Sequence, residues 1–230
     1  MTVAAIILAT PAGSALELLE GLPRVRRLVD VAWSGGAVPI VVVAPDPDGL
    51  IAAALAGAPV TLAAPSSATV GPVGQIIRGM DVAMAEVTQT DAVLIWPVRL
   101  SWVDPETVTT LIELHGRARN DILRPTFDGE PGWPALLPTA HLAAMRGLLG
   151  DPMPDELLRD LALAGVPARH YDLGDPGTTF DGATPREQLP PYTGPPEPSS
   201  GGSHEWGSAA ADVPDDAPLD GPALAPDDQG

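Results

Sequence analysis

The chain has 230 residues, of which 45% are hydrophobic, so it is long enough for one sizeable core. It contains no cysteine and no lysine, which excludes disulfides, thiolate metal sites, a Schiff-base lysine and a P-loop lysine. The formal net charge of −18 opposes binding to nucleic acid and to anionic membranes, and no apolar run reaches the length of a membrane span.

From the N-terminus onward, buried apolar strands alternate with helical segments. Residues 3–9 have the length of a strand and no basic segment before them, so we interpret them as a first strand rather than a signal peptide and expect a cytoplasmic protein. Further strands are predicted at 38–45, from 59, and at 91–96, 122–124, 133–137 and 168–173. Helices are predicted at 25–33, 50–55, 76–87, 104–116 and 154–165.

The helix after the fourth strand has a clear start, with Asp104 as the N-cap, Pro105 at the first helical position and Gly116 at its end. Continuous apolar strands interleaved with helices predict a mostly parallel sheet covered on both faces. The expected fold class is therefore a three-layer α/β/α, Rossmann-like domain. Its ligands should bind at the carboxyl ends of the strands.

The composition changes near residue 190, so we expect the folded domain to span 1–189 and a tail to span 190–230. The tail has no basic residue and eight acidic ones, and it is rich in proline and glycine. Such a segment buries too little apolar surface to offset its chain entropy, and we predict that it is disordered. It is either a solubilising extension or a recruitment segment anchored by Trp206.

Several local segments occur in an order typical of one enzyme family. These are "AAIILA", "GLPRVRRLVDVAWSGGAVPIVVV", "DAVLIWPVRLSWVDPETVTTLI", "DGEPGWPALL" and "DPGTTFDGATPREQL". In this order the chain resembles the molybdenum-cofactor nucleotidyltransferases, or MobA-like NTP transferases, over about residues 3–189. The resemblance implies a GT-A-like α/β fold and a nucleotide site. It also implies Mg²⁺ as the cofactor of an active transferase.

The resemblance also shows where this sequence departs from the family pattern. The family has a glycine-rich phosphate loop that ends in arginine and lysine. The equivalent segment here, "LATPAGSALELLEG", has a single glycine in the loop, Gly13, and no basic residue occurs before Arg24. We interpret this segment as an ordinary strand-to-helix turn capped by Ser14. Arg99 occupies the position of the family's metal-binding aspartate, where a cation would repel Mg²⁺ but could pair with an anion. In the closing motif Asp181 is retained, whereas the second carboxylate is missing, its position being Ala183 or a neighbouring residue.

No residue is assigned as catalytic or as a metal ligand, and the four histidines lack metal-ligand spacing. His115 lies near a helix end whose dipole favours its charged form. A helix start after Ser66 and Ser67 could hold an anion, with Arg78 in support. We further expect Arg99 to approach Asp181 or Asp175. The candidate nucleotide- or anion-binding residues are Thr10, Gly13, Ser14, Arg78, Arg99 and Asp181.

Three hypotheses of function follow. The first is a catalytically degenerate nucleotidyltransferase that serves as a binding or accessory module. Its partners would be a nucleotide or another anionic small molecule, or a protein that binds the cleft or the tail. The second is an active nucleotidyltransferase, of the cofactor or sugar-nucleotide type, with relocated phosphate and metal groups. The third is a structural subunit whose cleft is filled by Trp96 and Trp133.

Overall fold

The computed structural model describes residues 2–65, 71–147 and 152–195. The main sheet has eight strands in the order β10-β7-β9-β6-β1-β4-β5, with β8 beside β7. Its strands are β1 (Thr2–Leu8), β4 (Ile40–Val43), β5 (Thr61–Ala63), β6 (Thr90–Pro97), β7 (Ile122–Phe127), β8 (Glu130–Pro131), β9 (Ala135–Pro138) and β10 (Ala168–Asp172). β1 is parallel to β4 and β6, and β7 is parallel to β10, whereas β9 runs antiparallel between β6 and β7. The sheet is therefore mixed and mostly parallel.

Helices cover both faces of this sheet. They are α1 (Ala12–Leu16), α2 (Arg24–Ser34), α3 (Leu50–Ala54), α4 (Gly71–Glu86), α5 (Pro105–Arg117), α6 (Leu142–Arg146) and α7 (Pro154–Leu163). In β1, Ala5 and Ile7 pack with α2, α3 and α5, while Ala4 and Ile6 pack with α4, α6 and α7. Alternate residues of a strand point to opposite faces, so a fully apolar β1 buries both. The predicted three-layer α/β/α fold is confirmed.

Two local features position α4 and α5 relative to the sheet. At Gly79 of α4, an added Cβ would lie 2.3 Å from the Ile6 side chain of β1. At α5, the Asp104 carboxylate accepts a hydrogen bond from the Glu106 N–H at 3.0 Å, and Pro105 occupies the first helical position, as predicted. The first contact packs the middle of α4 on β1, and the second fixes where α5 begins after β6.

The segment after β1 differs from the predicted simple turn. It contains the short helix α1 and a hairpin of β2 (Leu18–Leu19) and β3 (Leu22–Pro23). The two turn residues, Glu20 and Gly21, have φ angles of 51° and 86°, which suits a tight two-residue hairpin. Ser14 therefore lies inside α1, and the expectation that it caps a helix is wrong.

The compact unit continues to Pro195, beyond the predicted boundary at residue 189. Thr193 donates its N–H to the Gly174 carbonyl at 2.9 Å, which ties the segment after residue 189 to the end of β10. The predicted tail from residue 196 onward lies outside the described residues. Within the described ranges, no helix has the length and apolar character to cross a membrane.

Candidate functional site

A cleft of about 750 Å³ opens at the carboxyl ends of β1 and β6. This is the edge at which ligands bind in open α/β sheets. The volume is also within the range of about 300–1,000 Å³ common for small-molecule sites. The lining residues come from the segment after β1, the start of α2, the start of α4, the β6–α5 loop, the start of α7 and the closing segment (residues 181–188).

Arg24 is the central cation of the cleft, although none of the motifs selects it. Its guanidinium is buried, with 6% of the side chain exposed, and Nη2 lies 2.6 Å from a Glu17 carboxylate oxygen. Nη1 lies 3.7 Å from Asp181 and donates a long hydrogen bond of 3.5 Å to the Ser14 hydroxyl. Nε is buried and has no hydrogen-bond partner among the described residues. A buried donor without a partner is costly, so this atom lowers the stability of the fold.

Arg24 reaches the cleft because the hairpin places it there. The Arg24 N–H donates to the Glu17 carbonyl at 2.9 Å, which closes the hairpin immediately before α2. An arginine in the first turn of a helix is opposed by the helix dipole. That unfavourable position is the sequence signal that could have identified it.

Arg99 and Asp181 lie opposite each other at the cleft mouth. Arg99 Nη1 is 3.9 Å from Asp181 Oδ2, so the predicted approach of these two residues is confirmed. The loops are joined by their backbones as well, since the Gly182 N–H donates to the Arg99 carbonyl at 2.7 Å. Asp181 Oδ1 accepts a hydrogen bond from the Ala183 N–H at 2.9 Å, which fixes the carboxylate beside both arginines.

Asp175, the alternative partner predicted for Arg99, has a different role. Its buried carboxylate accepts hydrogen bonds from the Asp104 N–H, the Thr107 hydroxyl and the Gly177 N–H, at 2.7–3.0 Å. Burial raises the pKa of this carboxyl, and the hydrogen bonds from Asp104, Thr107 and Gly177 oppose the rise. Asp175 therefore braces the closing segment against α5 instead of facing the cleft.

A second contact fixes the hairpin to the closing segment. Arg27 and Arg186 lie over the Trp102 ring, at 5.2 and 5.7 Å from its centroid. The Glu20 carboxylate pairs with both, at 3.4 Å to Arg27 and 3.3 Å to Arg186. The Trp102 indole N–H also donates to the Thr184 carbonyl at 2.9 Å. This contact holds together the two segments that carry Arg24 and Asp181.

The opposite wall of the cleft is mainly apolar and is organised by Trp133. The Arg124 guanidinium lies 4.8 Å from the Trp133 ring centroid, donates to the Gly132 carbonyl at 3.1 Å and pairs with Asp155 at 2.7 Å. Trp96 instead lies within the core on the α2–α5 face. The two tryptophans therefore do not fill the cleft together, and the structure does not have the plugged cleft of the third hypothesis. The rest of this wall includes Leu8, Pro72, Pro97, Val98, Met153 and Pro154.

The remaining predicted site residues divide between the cleft and the surface. Thr10 and Ser14 line the cleft, whereas Gly13 and Arg78 are exposed and do not. The start of α4 lines the cleft through Gly71, Pro72 and Gln75, but Arg78, one turn further along the helix, does not. Ser66 and Ser67 lie outside the described residues. The structure thus brings together Thr10, Ser14, Arg99 and Asp181.

His115 is buried in the core, and its protonation differs from the prediction made from its position near a helix end. Burial lowers the pKa of its imidazole, Asp91 opposes that shift and Arg119 adds to it. The expectation that the helix dipole favours a charged ring is therefore overcome by desolvation. Both ring nitrogens lack hydrogen-bond partners among the described residues.

The cleft residues do not fit a Mg²⁺ ion. Mg²⁺ in proteins is held by carboxylates that are free to face it, together with water or substrate oxygens. Here Glu17 pairs with Arg24, Asp155 pairs with Arg124, and Asp181 lies within 4 Å of both Arg24 and Arg99. The described part of the chain contains no group of three or more His, Asp or Glu side chains suited to a metal.

The family model of the MobA-like NTP transferase domain matches residues 14–166 of the chain. No curated protein matches the chain at a significant level. Among solved structures, a nucleotidyl transferase from Methanothermobacter thermautotrophicus superposes with a TM-score of 0.59 at 18% identity, covering 74% of this chain and 87% of the other.

A Mycobacterium tuberculosis protein solved in complex with manganese has a TM-score of 0.57 at 18% identity, covering 75% of this chain and 88% of the other. A 2-C-methyl-D-erythritol 4-phosphate cytidylyltransferase from Thermus thermophilus has a TM-score of 0.58 at 16% identity, covering 81% and 95%. At these identities the likeness supports the fold alone.

Proposed function

Because the chain belongs to the family of MobA-like NTP transferase domains, we propose that it binds a nucleotide or another small anion in the cleft without Mg²⁺-dependent nucleotidyl transfer. It would be a catalytically degenerate binding or accessory module. The observation that carries the proposal is the placement of Arg24 and Arg99 at the polar end of the cleft, beside Asp181. Two guanidinium groups are suited to a phosphate or carboxylate, and they disfavour a divalent cation.

Transfer of a nucleotidyl group requires cationic groups on the triphosphate and a metal that bridges its oxygens. The resemblance places the family's metal-binding carboxylate at position 99, where this chain has an arginine. The remaining carboxylates of the cleft already face arginines. The Mycobacterium tuberculosis protein of similar fold was solved in complex with manganese. The absence of a metal site in this chain would therefore distinguish it from that protein.

The cleft offers a binding surface with two distinct ends. At the polar end, Arg24 and Arg99 would donate to the anion, and the hydroxyls of Thr10 and Ser14 lie in the same lining. At the other end, the Trp133 wall would hold an apolar or planar group against the stem of Met153. Specific binding would thus combine charge-assisted hydrogen bonds with apolar contact.

Isothermal titration calorimetry with CTP, GTP, CMP and GMP, each with and without Mg²⁺, tests this function. We expect binding of at least one of these nucleotides that does not depend on Mg²⁺. Arg99→Gln should weaken that binding by about tenfold, the value of one charge-assisted contact. Arg159→Gln is the matched control, because Arg159 is also exposed but does not line the cleft.

Micromolar binding of a triphosphate that requires Mg²⁺ would instead support an active nucleotidyltransferase with relocated groups. If no nucleotide bound the wild-type protein under either condition, the proposed binding function would be wrong.

A further inference from the structure

We propose that Asp181 is a charge filter, which restricts the cleft to ligands with one phosphate group on an apolar or planar body, an inference that rests on the proposed function. Its carboxylate lies beside the position at which the anion of a ligand would contact Arg24 and Arg99. Polyanions such as triphosphates would be excluded by repulsion from this fixed negative charge.

The donors of the two arginines are not saturated by Asp181. Charge-assisted N–H···O bonds are about 2.7–2.9 Å long, whereas the two arginine–Asp181 separations are 3.7 and 3.9 Å. Arg99 lines the cleft with 52% of its side chain exposed, so its guanidinium is open to a ligand. The polar end therefore has donor capacity for one anionic group.

The carboxylate of Asp181 is held in place by its own turn. The Ala183 N–H donates to Oδ1, and Gly182 is fixed to the Arg99 carbonyl. Gly182 has no room for a side chain, since an added Cβ would lie 2.2 Å from the Ser101 hydroxyl and 3.0 Å from Arg24 Nε. A ligand therefore meets both arginines and Asp181 at once, and it cannot displace the carboxylate without breaking this turn.

The charges of the polar end cancel. Two arginines, Arg24 and Arg99, face two carboxylates, Glu17 and Asp181. At the other wall Asp155 lines the cleft and is paired with Arg124. One phosphate can be bound by the two guanidinium groups. Each further phosphate adds negative charge within a few ångströms of Asp181, in a chain whose net charge is already −18.

Apolar residues dominate the rest of the lining, which determines the second feature of the ligand. Leu8, Pro97 and Val98 form the floor next to Trp133 and the start of α7. The charged side chain in this part of the lining is Asp155, whose negative charge would repel a phosphate chain and not neutralise it. The part of the ligand beyond its first anionic group should therefore be uncharged and apolar or planar.

The test compares CMP, phenyl phosphate and CTP by calorimetry in EDTA, using the wild-type protein and Asp181→Asn. We expect wild-type protein to bind CMP or phenyl phosphate at least about tenfold more tightly than CTP, the effect of one nearby, partly exposed charge. Asp181→Asn should raise the affinity for CTP relative to the monophosphate by about tenfold. Binding of phenyl phosphate would identify any aromatic phosphate as the ligand class, and binding of CMP alone would identify a nucleotide.

Asp172→Asn is the matched control. Asp172 also accepts a hydrogen bond from the backbone N–H two residues later, Gly174 at 3.1 Å, but it does not line the cleft. This control makes the same change in net charge and should leave the ratio of CTP to CMP affinity unchanged. Asparagine can still accept the Ala183 N–H, and Asp181→Ser provides a second variant with a side-chain oxygen if Asp181→Asn does not fold.

The outcomes for the filter and for the proposed function are separate. If wild-type protein bound CTP as tightly as the monophosphates, or if Asp181→Asn changed the ratio no more than Asp172→Asn, the filter would be wrong while anion binding stood. If neither wild-type protein nor Asp181→Asn bound any of the three probes, the filter would be wrong, and the proposed function would be wrong as well if GTP and GMP also failed to bind.

Discussion

Replacement of Arg24 by methionine separates a ligand-binding arginine from a structural one. Breaking a buried ion pair costs about 3–5 kcal/mol when the partner is left buried and unpaired. Here the partners are not buried, because the side chains of Glu17 and Asp181 are 56% and 41% exposed and can be hydrated again. Removal of the unpaired Nε should recover about 1–3 kcal/mol of desolvation cost.

These opposing effects predict that Arg24→Met leaves the free energy of unfolding within about 1 kcal/mol of wild type or raises it by up to about 2 kcal/mol. The same variant should lose the anion binding of the cleft. Urea denaturation at pH 7, followed by tryptophan fluorescence, measures the first effect, and calorimetry with CMP measures the second.

Arg124→Met is the matched comparison, since Arg124 is also a buried arginine that pairs with an exposed carboxylate. Arg124, however, donates to the Gly132 carbonyl and packs on the Trp133 ring. Its replacement should therefore lower the free energy of unfolding by about 2–3 kcal/mol. If Arg24→Met destabilised the protein as much as Arg124→Met, the interpretation of Arg24 as a residue held ready for a ligand would be refuted.

Three further predictions concern the core and the cleft mouth. His115→Leu should raise the free energy of unfolding by about 1–2 kcal/mol at pH 7, because two buried nitrogens without partners are removed. The folded-state pKa of His115 lies below 6.5, so wild-type stability should fall as the pH drops below 6.5 and the variant should lose this component; denaturation at pH 5.5 and 7.5 measures both. Asp175→Ala should cost about 2–4 kcal/mol in thermal or urea unfolding, since two buried donors and one partly buried donor lose their acceptor; a cost below 1 kcal/mol would contradict the bracing role. Arg99→Asp should lower stability by up to about 1 kcal/mol without producing Mg²⁺-dependent CTP binding, because the pair with Asp181 is long and partly exposed; unchanged stability with new Mg²⁺ binding in calorimetry would contradict the pairing.

The long apolar strands could be predicted because their pattern depends on burial alone. β1, β4 and β6 are buried on both faces, and continuous apolar runs of strand length are typical of this environment. The start of α5 was equally clear, because Asp104 and Pro105 satisfy local requirements of a helix N-terminus. Asp128 and Gly129 form the turn between β7 and β8 with positive φ angles, and this Asp-Gly pair is a hairpin signal that the interpretation of the segment did not use.

Arg99 and Asp181 illustrate how much of the site a motif can indicate. The order of motifs placed both residues at the same cleft, and their approach is confirmed. Arg24 could not be placed in this way, because its burial depends on the β2–β3 hairpin folding back against the start of α2. The turn of that hairpin contains Glu20, whose carboxylate accepts a hydrogen bond from Arg186, a residue 166 positions away in the sequence.

The sequence by itself determined the layers of this protein and the absence of lysine and cysteine chemistry. These features follow from residue type and local periodicity, which need no knowledge of distant contacts. Only the tertiary structure decided that Asp175 braces the closing segment, that His115 is desolvated, and that Arg24 retains an unpaired buried donor beside Asp181. Burial, pKa and hydrogen-bond satisfaction depend on which distant segments enclose a group, and a linear pattern does not contain that information.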